Sequence, residues 1–225
     1  MIKLIAFITA VLIAILPLTA TGQAIDYQSI IAQGTAQSIS FGPDFEQNHG
    51  RQLKLHFTLD VPVNEGQLRL QSNYNQPDRY GSIRFLSAEG NVLEMVDLFE
   101  GTIPTGPIAD REEALAAMLQ NDIVPNLGNF EDLNIIGARR AKVGPYAAIE
   151  VVALYPTEAY GQIALRAMGV FPPSGENILV YISHTVLGAF DLPSVNNLPD
   201  TFSGTMLQSL SISATRGPDG RLTTF

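Results

Sequence analysis

Cysteine and tryptophan are absent from this 225-residue chain, histidine occurs three times, and basic residues are scarce. Without cysteine there is no disulfide, no thiolate metal site and no lipid anchor attached behind a leader. The histidines, His49, His56 and His184, are scattered, and no His-Glu-x-x-His run joins them, so no metal is expected. The Gly-x-Ser-x-Gly elbow of a serine hydrolase is missing as well. Gly217-Pro-Asp-Gly220 reads as a turn rather than a phosphate loop, because no helix follows it. Aspartates do not gather at calcium-loop spacing, and the pair Glu112-Glu113 suits the start of a helix. No catalytic residue and no cofactor is therefore assigned.

Charge excludes further classes. The chain has 13 basic and 22 acidic residues, a formal net charge of −9. A nucleic-acid partner needs a net basic face, and anionic lipid headgroups favour one too.

What the chain does have begins at its N-terminus. Met1-Ile-Lys3 is a short basic start, and Leu4 to Leu16 is a continuous apolar run closed by Pro17. Gly22 and Ala24 are small residues where a signal peptidase must accommodate them. Residues 1–24 thus have the layout of a secretory signal peptide, an uncleaved N-terminal anchor being the alternative. Removing it would leave 12 basic residues (13 less Lys3) against 22 acidic, a charge of −10. The expected location is periplasmic or secreted.

Residues 25–52 are polar and read as a lead-in, residues 53–214 as a single α+β domain, and 215–225 as a loose tail. Leu53 to Val61 alternates strictly, which describes a strand with one buried face and one wet face. His56 falls on the wet face and is expected to be solvated. Two strands are expected at Ser82 to Leu86 and Val92 to Phe99, joined by the turn Ala88 to Asn91. Asp110 with Glu113 resembles a capping box, and Leu115, Met118, Leu119 and Ile123 recur at helical spacing, so a helix is expected over Arg111 to Asn126. Asp132 to Arg140 leads into Val143 to Tyr146, a turn between strands. Ala147 to Tyr155, Ile163 to Phe171 and Ile178 to Leu187 follow as an antiparallel meander, the first covered on both faces. Phe202, Met206 and Leu210 mark a last helix. An antiparallel sheet with flanking helices is the fold class that results.

This order of pieces resembles the PsbP-like superfamily, which includes extrinsic proteins of photosystem II and bacterial periplasmic relatives. The likeness spans Leu53 to Ile212. It rests on the alternating strand Phe57-Thr-Leu-Asp-Val-Pro62, the turn Lys142-Val-Gly-Pro-Tyr146 and the closing run Ser209 to Ile212. It implies an α-β-α sandwich acting as a binding or accessory module, with no catalytic residues to carry over.

Five residues are candidates for partner contact. Arg139, Arg140 and Lys142 form the densest basic patch in an acidic chain and could meet an anionic partner, or be a solvated face or strand-end ion pairs. Tyr155 and Tyr160 flank a turn and could anchor a partner, or pack beneath it. His184 shares a strand face with Ile178, Val180, Ile182 and Val186 and is expected to pack as a neutral, hydrogen-bonded ring. Three function classes follow: a non-enzymatic module for an envelope protein or assembly, a carrier holding a small apolar ligand between sheet and helix, and a hydrolase with dispersed catalytic residues.

Overall fold

The computed structural model describes residues 27–225 apart from 65–66, 76–78, 129, 131, 191 and 193; residues 1–24, expected from the sequence to be a signal peptide, lie outside the described residues. In chain order the elements are α1 (Tyr27–Gln33), β1 (Thr35–Phe41), α2 (Pro43–His49), β2 (Leu55–Val63), β3 (Leu68–Asn73), β4 (Gly81–Ser87) and β5 (Val92–Thr102). Then come α3 (Ile108–Ala117), β6 (Asn134–Val143), β7 (Tyr146–Thr157), β8 (Gly161–Val170), β9 (Asn177–Val186), α4 (Phe202–Gln208), β10 (Ser211–Arg216) and β11 (Leu222–Thr224).

Two antiparallel sheets result, in the orders β1-β2-β10-β11 and β3-β4-β5-β9-β8-β7-β6. The meander β7-β8-β9 sits inside the larger sheet, and both of its faces are buried. On one face Ile149, Val151, Leu165, Ala167 and Ile182 pack against Leu115 and Leu119 of the α3 segment. On the other, Met168, Leu179, Val96 and Phe85 meet Phe57 and Leu59 of β2 with Phe202, Met206 and Leu207 of α4. The fold is α+β with flanking helices as expected, and the small sheet shares with α4 the covering of the second face.

Several boundaries differ from the sequence reading. The lead-in 25–52 carries two helices and a strand: β1 pairs antiparallel with β2, and Phe41 stacks on Phe57 at 4.6 Å between ring centroids. Five polar or small residues among Thr35–Ser40 conceal that strand, because only Ile39 and Phe41 show apolar spacing. The tail pairs too, β11 closing a hairpin with β10. The helix begins at Ile108 behind Pro107 with no side-chain cap, so the capping box does not form. It widens to π-helical turns over Met118–Ile123 and tightens to 3₁₀ over Val124–Asn126, ending where Pro125 removes a donor.

His56 is the clearest reversal. Alternation places it opposite Leu55 and Phe57, yet it is buried, because α2 brings Glu46 within 3.2 Å of its Nε2. Arg216 of β10 donates to the same carboxylate oxygen at 2.8 Å, and so does the Leu53 N–H at 2.7 Å. Burial alone would raise the Glu46 pKa; those bonds outweigh it and hold the carboxyl below its ordinary value. One partly buried carboxylate thereby ties the lead-in, β2 and the C-terminal hairpin together.

Candidate functional site

At the end of the larger sheet β6 has, among the described residues, only β7 as a strand neighbour, and most of its side chains face water. Ile135 pairs with Ala153 and Gly137 with Val152, which leaves Ile136 as an extra, unpaired residue. Gly137 has φ of 144°, a conformation glycine tolerates and other residues resist. This bulge turns Ile136 outward, 52% exposed.

From Gly137 the strand runs regularly and delivers the basic patch to two faces. Arg139 lies on the face away from α3, ion-paired with Glu150 and donating to the Asn196 Oδ1 at 2.8 Å. Arg166 of β8 pairs with the same Glu150. Burial would raise the Glu150 pKa, but the Arg166 and Arg139 guanidinium groups pull it below its ordinary value. Arg139 is thus partly a structural ion. Arg140 points to the α3 side, where it donates to Glu112 at 2.7 Å while its side chain stays 75% exposed. So exposed a pair is worth at most about 1 kcal/mol, and Arg140 is readily recruited elsewhere. Lys142 is exposed on the same side.

Between α3 and β6 lies an open cleft of about 330 Å³, with Asp110, Glu113 and Ala116 on one wall and Ala138 and Arg140 on the other. Neither Ile136 nor the cleft was singled out by sequence reasoning. The glycine after two isoleucines was the one available sign of a bulge.

Tyr155 and Tyr160 do not join this surface. Tyr155 is buried within β7, stacked on Phe130 at 4.2 Å, with its hydroxyl hydrogen-bonded to His184 Nδ1 at 2.8 Å. Burial raises its pKa. Tyr160 is half-buried in the β7–β8 turn against the same core. Both rings therefore pack against the core between the larger sheet and the α3 segment.

His184 occupies the expected face, between Ile182 and Val186, and keeps some exposure. Burial lowers its pKa to about 4, with the Asp97 charge acting in the opposite direction. Such an imidazole is neutral at pH 7. Its neighbour Ser183 faces the other way and is fully buried, its hydroxyl without a partner among the described residues, so the two form no dyad. Among the described residues no three His, Asp or Glu side chains converge as a metal site. No helix among them is long and apolar enough to cross a membrane.

Comparison with known proteins adds likeness to solved structures. No family model matches the chain, and no curated protein matches it. The chain is similar to the PsbP protein CyanoP from Synechocystis sp. PCC 6803. The match covers 79% of this chain and 92% of that one at 11% identity, with a TM-score of 0.44. It is also similar to LpqN, involved in cell envelope biogenesis of Mycobacterium tuberculosis, with 15% identity, 85% and 99% coverage and a TM-score of 0.43.

Proposed function

We infer that the chain is an exported, non-enzymatic binding or accessory module that engages a protein or assembly of the cell envelope through β6. The observation that carries this reading is the exposed edge itself. A long strand at the end of the larger sheet bears Arg139, Arg140 and Lys142, no acidic residue, and an outward-turned Ile136 beside an open cleft. A surface of this kind in a chain of net charge −9 favours an anionic partner by local charge complementarity. The secretory layout of residues 1–24 supports export, to the periplasm or beyond it.

The other two classes find less support. Space for an apolar ligand between α3 and the sheet is taken up by Leu115: a Cβ added at Gly169 would lie 2.5 Å from its methyl groups. Small residues in the meander let the helix approach the sheet closely. A hydrolase would need a nucleophile near its base, and Ser183 and His184 lie on opposite faces.

The test is capture from envelope extract with the processed chain as bait, run beside the double variant Arg140→Glu/Lys142→Glu. The expected result is a defined protein held by the wild type and lost from the variant, with the melting curves of the two alike. Equal capture by both would refute β6 as the surface.

A further inference from the structure

Among the described residues the sheets end in four edge strands, β1, β3, β6 and β11. An edge strand presents outward N–H and C=O groups on alternate residues, a template for another strand unless something guards it. β6 is the longest of the four, at ten residues against seven, six and three. It also differs in charge: β1 and β11 carry none, and β3 carries Arg69 alone.

The guards on β6 are selective rather than general. Its bulge shifts the register at Ile136, with pairing resuming at Ile135, and leaves Gly137 to Val143 regular against β7. Its cations repel a second β6, because edge-to-edge pairing of two copies would set arginine and lysine against arginine and lysine. The same cations attract a strand that carries carboxylates opposite them, since opposite charges on facing strands stabilise the pair. The cleft adds a position-specific demand. Ala138 borders it beneath Asp110 and Glu113, which disfavour an acid there, whereas Arg140 and Lys142 on that side of the strand favour one.

Resting on the reading of β6 as the partner surface, we propose that the partner is taken up as an extended acidic segment that adds to β6 along Gly137 to Val143, as an eighth strand of the larger sheet. Main-chain hydrogen bonds supply the hold and side chains the choice of sequence. The favoured pattern on the α3 side is a small or basic residue opposite Ala138 and acids opposite Arg140 and Lys142. Arg140 exchanges its exposed contact with Glu112 for the incoming carboxylate.

The probe is the synthetic peptide Ac-Thr-Ala-Thr-Glu-Thr-Glu-Thr-amide, used with its reversed sequence because the strand could add in either direction. Amide hydrogen exchange is followed by NMR across β6. Alternate amides from Gly137 to Val143 exchange freely in the protein alone and are expected to slow by about tenfold at saturating peptide. A peptide with lysine in place of glutamate should give no protection. Neither should the glutamate peptide N-methylated at alternate residues, which keeps every charge but loses ladder donors. In Arg140→Glu/Lys142→Glu the preference should reverse, with the lysine peptide now protecting. Three results overturn the proposal: binding with β6 exchange unchanged, protection confined to β1, β3 or β11, or protection by the protein's own concentration without peptide. Any of these leaves the binding-module reading standing if capture from envelope extract still depends on Arg140 and Lys142. Loss of that dependence defeats the reading itself.

Discussion

Replacing His184 separates a packed histidine from a working one, and pH supplies the lever. The ring lies between Ile182 and Val186 on the α3-facing side of β9, bonded through Nδ1 to the Tyr155 hydroxyl at 2.8 Å. Its folded pKa is lowered to about 4, chiefly by burial. An unfolded histidine titrates near 6.5, so between those values the unfolded chain binds the proton more readily. Stability from the neutral ring is therefore present in full above about pH 6.5 and is lost as pH falls through the folded value. The difference amounts to about 3 kcal/mol at about 1.4 kcal/mol per pH unit, an upper bound because the ring keeps some exposure. At pH 7 His184→Ala should cost about 2–4 kcal/mol, from the lost ring volume and the unpaired Tyr155 hydroxyl. His184→Gln should cost less, and both variants, being unable to titrate at this position, should lose less on acidification than the wild type. Urea melts of the three proteins at pH 7 and pH 4.5 provide the comparison. Glu94 has its pKa raised by burial and changes the slope in the opposite direction, but it does so in all three proteins and cancels in the differences. Parallel pH profiles for wild type and His184→Gln would refute the reasoning, as would an unchanged midpoint for His184→Ala at pH 7.

Other perturbations test the frame around the site. Gly204→Ala should destabilise by about 3 kcal/mol in denaturant, because the new methyl would run into the Leu198 and Pro199 carbonyls on which α4 is seated. Arg166→Met leaves buried Glu150 with Arg139 alone and should cost about 3–5 kcal/mol, while adding Glu150→Leu should recover much of the loss in the same melts. Protein recovered from the periplasm of an expressing bacterium should begin at Ile25 on N-terminal sequencing, and an intact N-terminus in the membrane fraction would show an anchor instead.

Local pattern alone determined the meander, the faces of β2 and the place of α3. β7, β8 and β9 are buried on both sides and linked by short turns, so their composition and spacing announce them. The same pattern put His184 on the right face and kept Ser183 away from it. Alternation, however, records which side of a strand is apolar and says nothing of what will cover the other side. His56 sits on the polar side of β2 and is buried only because α2, far from any strand signal, carries Glu46 across it. β1 and β11 are strands because β2 and β10 offer them unpaired edges, a long-range cause that their own residues barely reflect. For β6 the sequence showed the cations and, through the turn between strands at Val143 to Tyr146, that a strand runs into it, but not where that strand begins or that it lies at the sheet's edge, since an edge facing water needs no alternation to hold its place. Tertiary structure decided that these cations lie along an open edge beside a cleft, and that the two tyrosines grouped with them belong to the core, because only the closing of the sheet determines which strand is left last and unpaired.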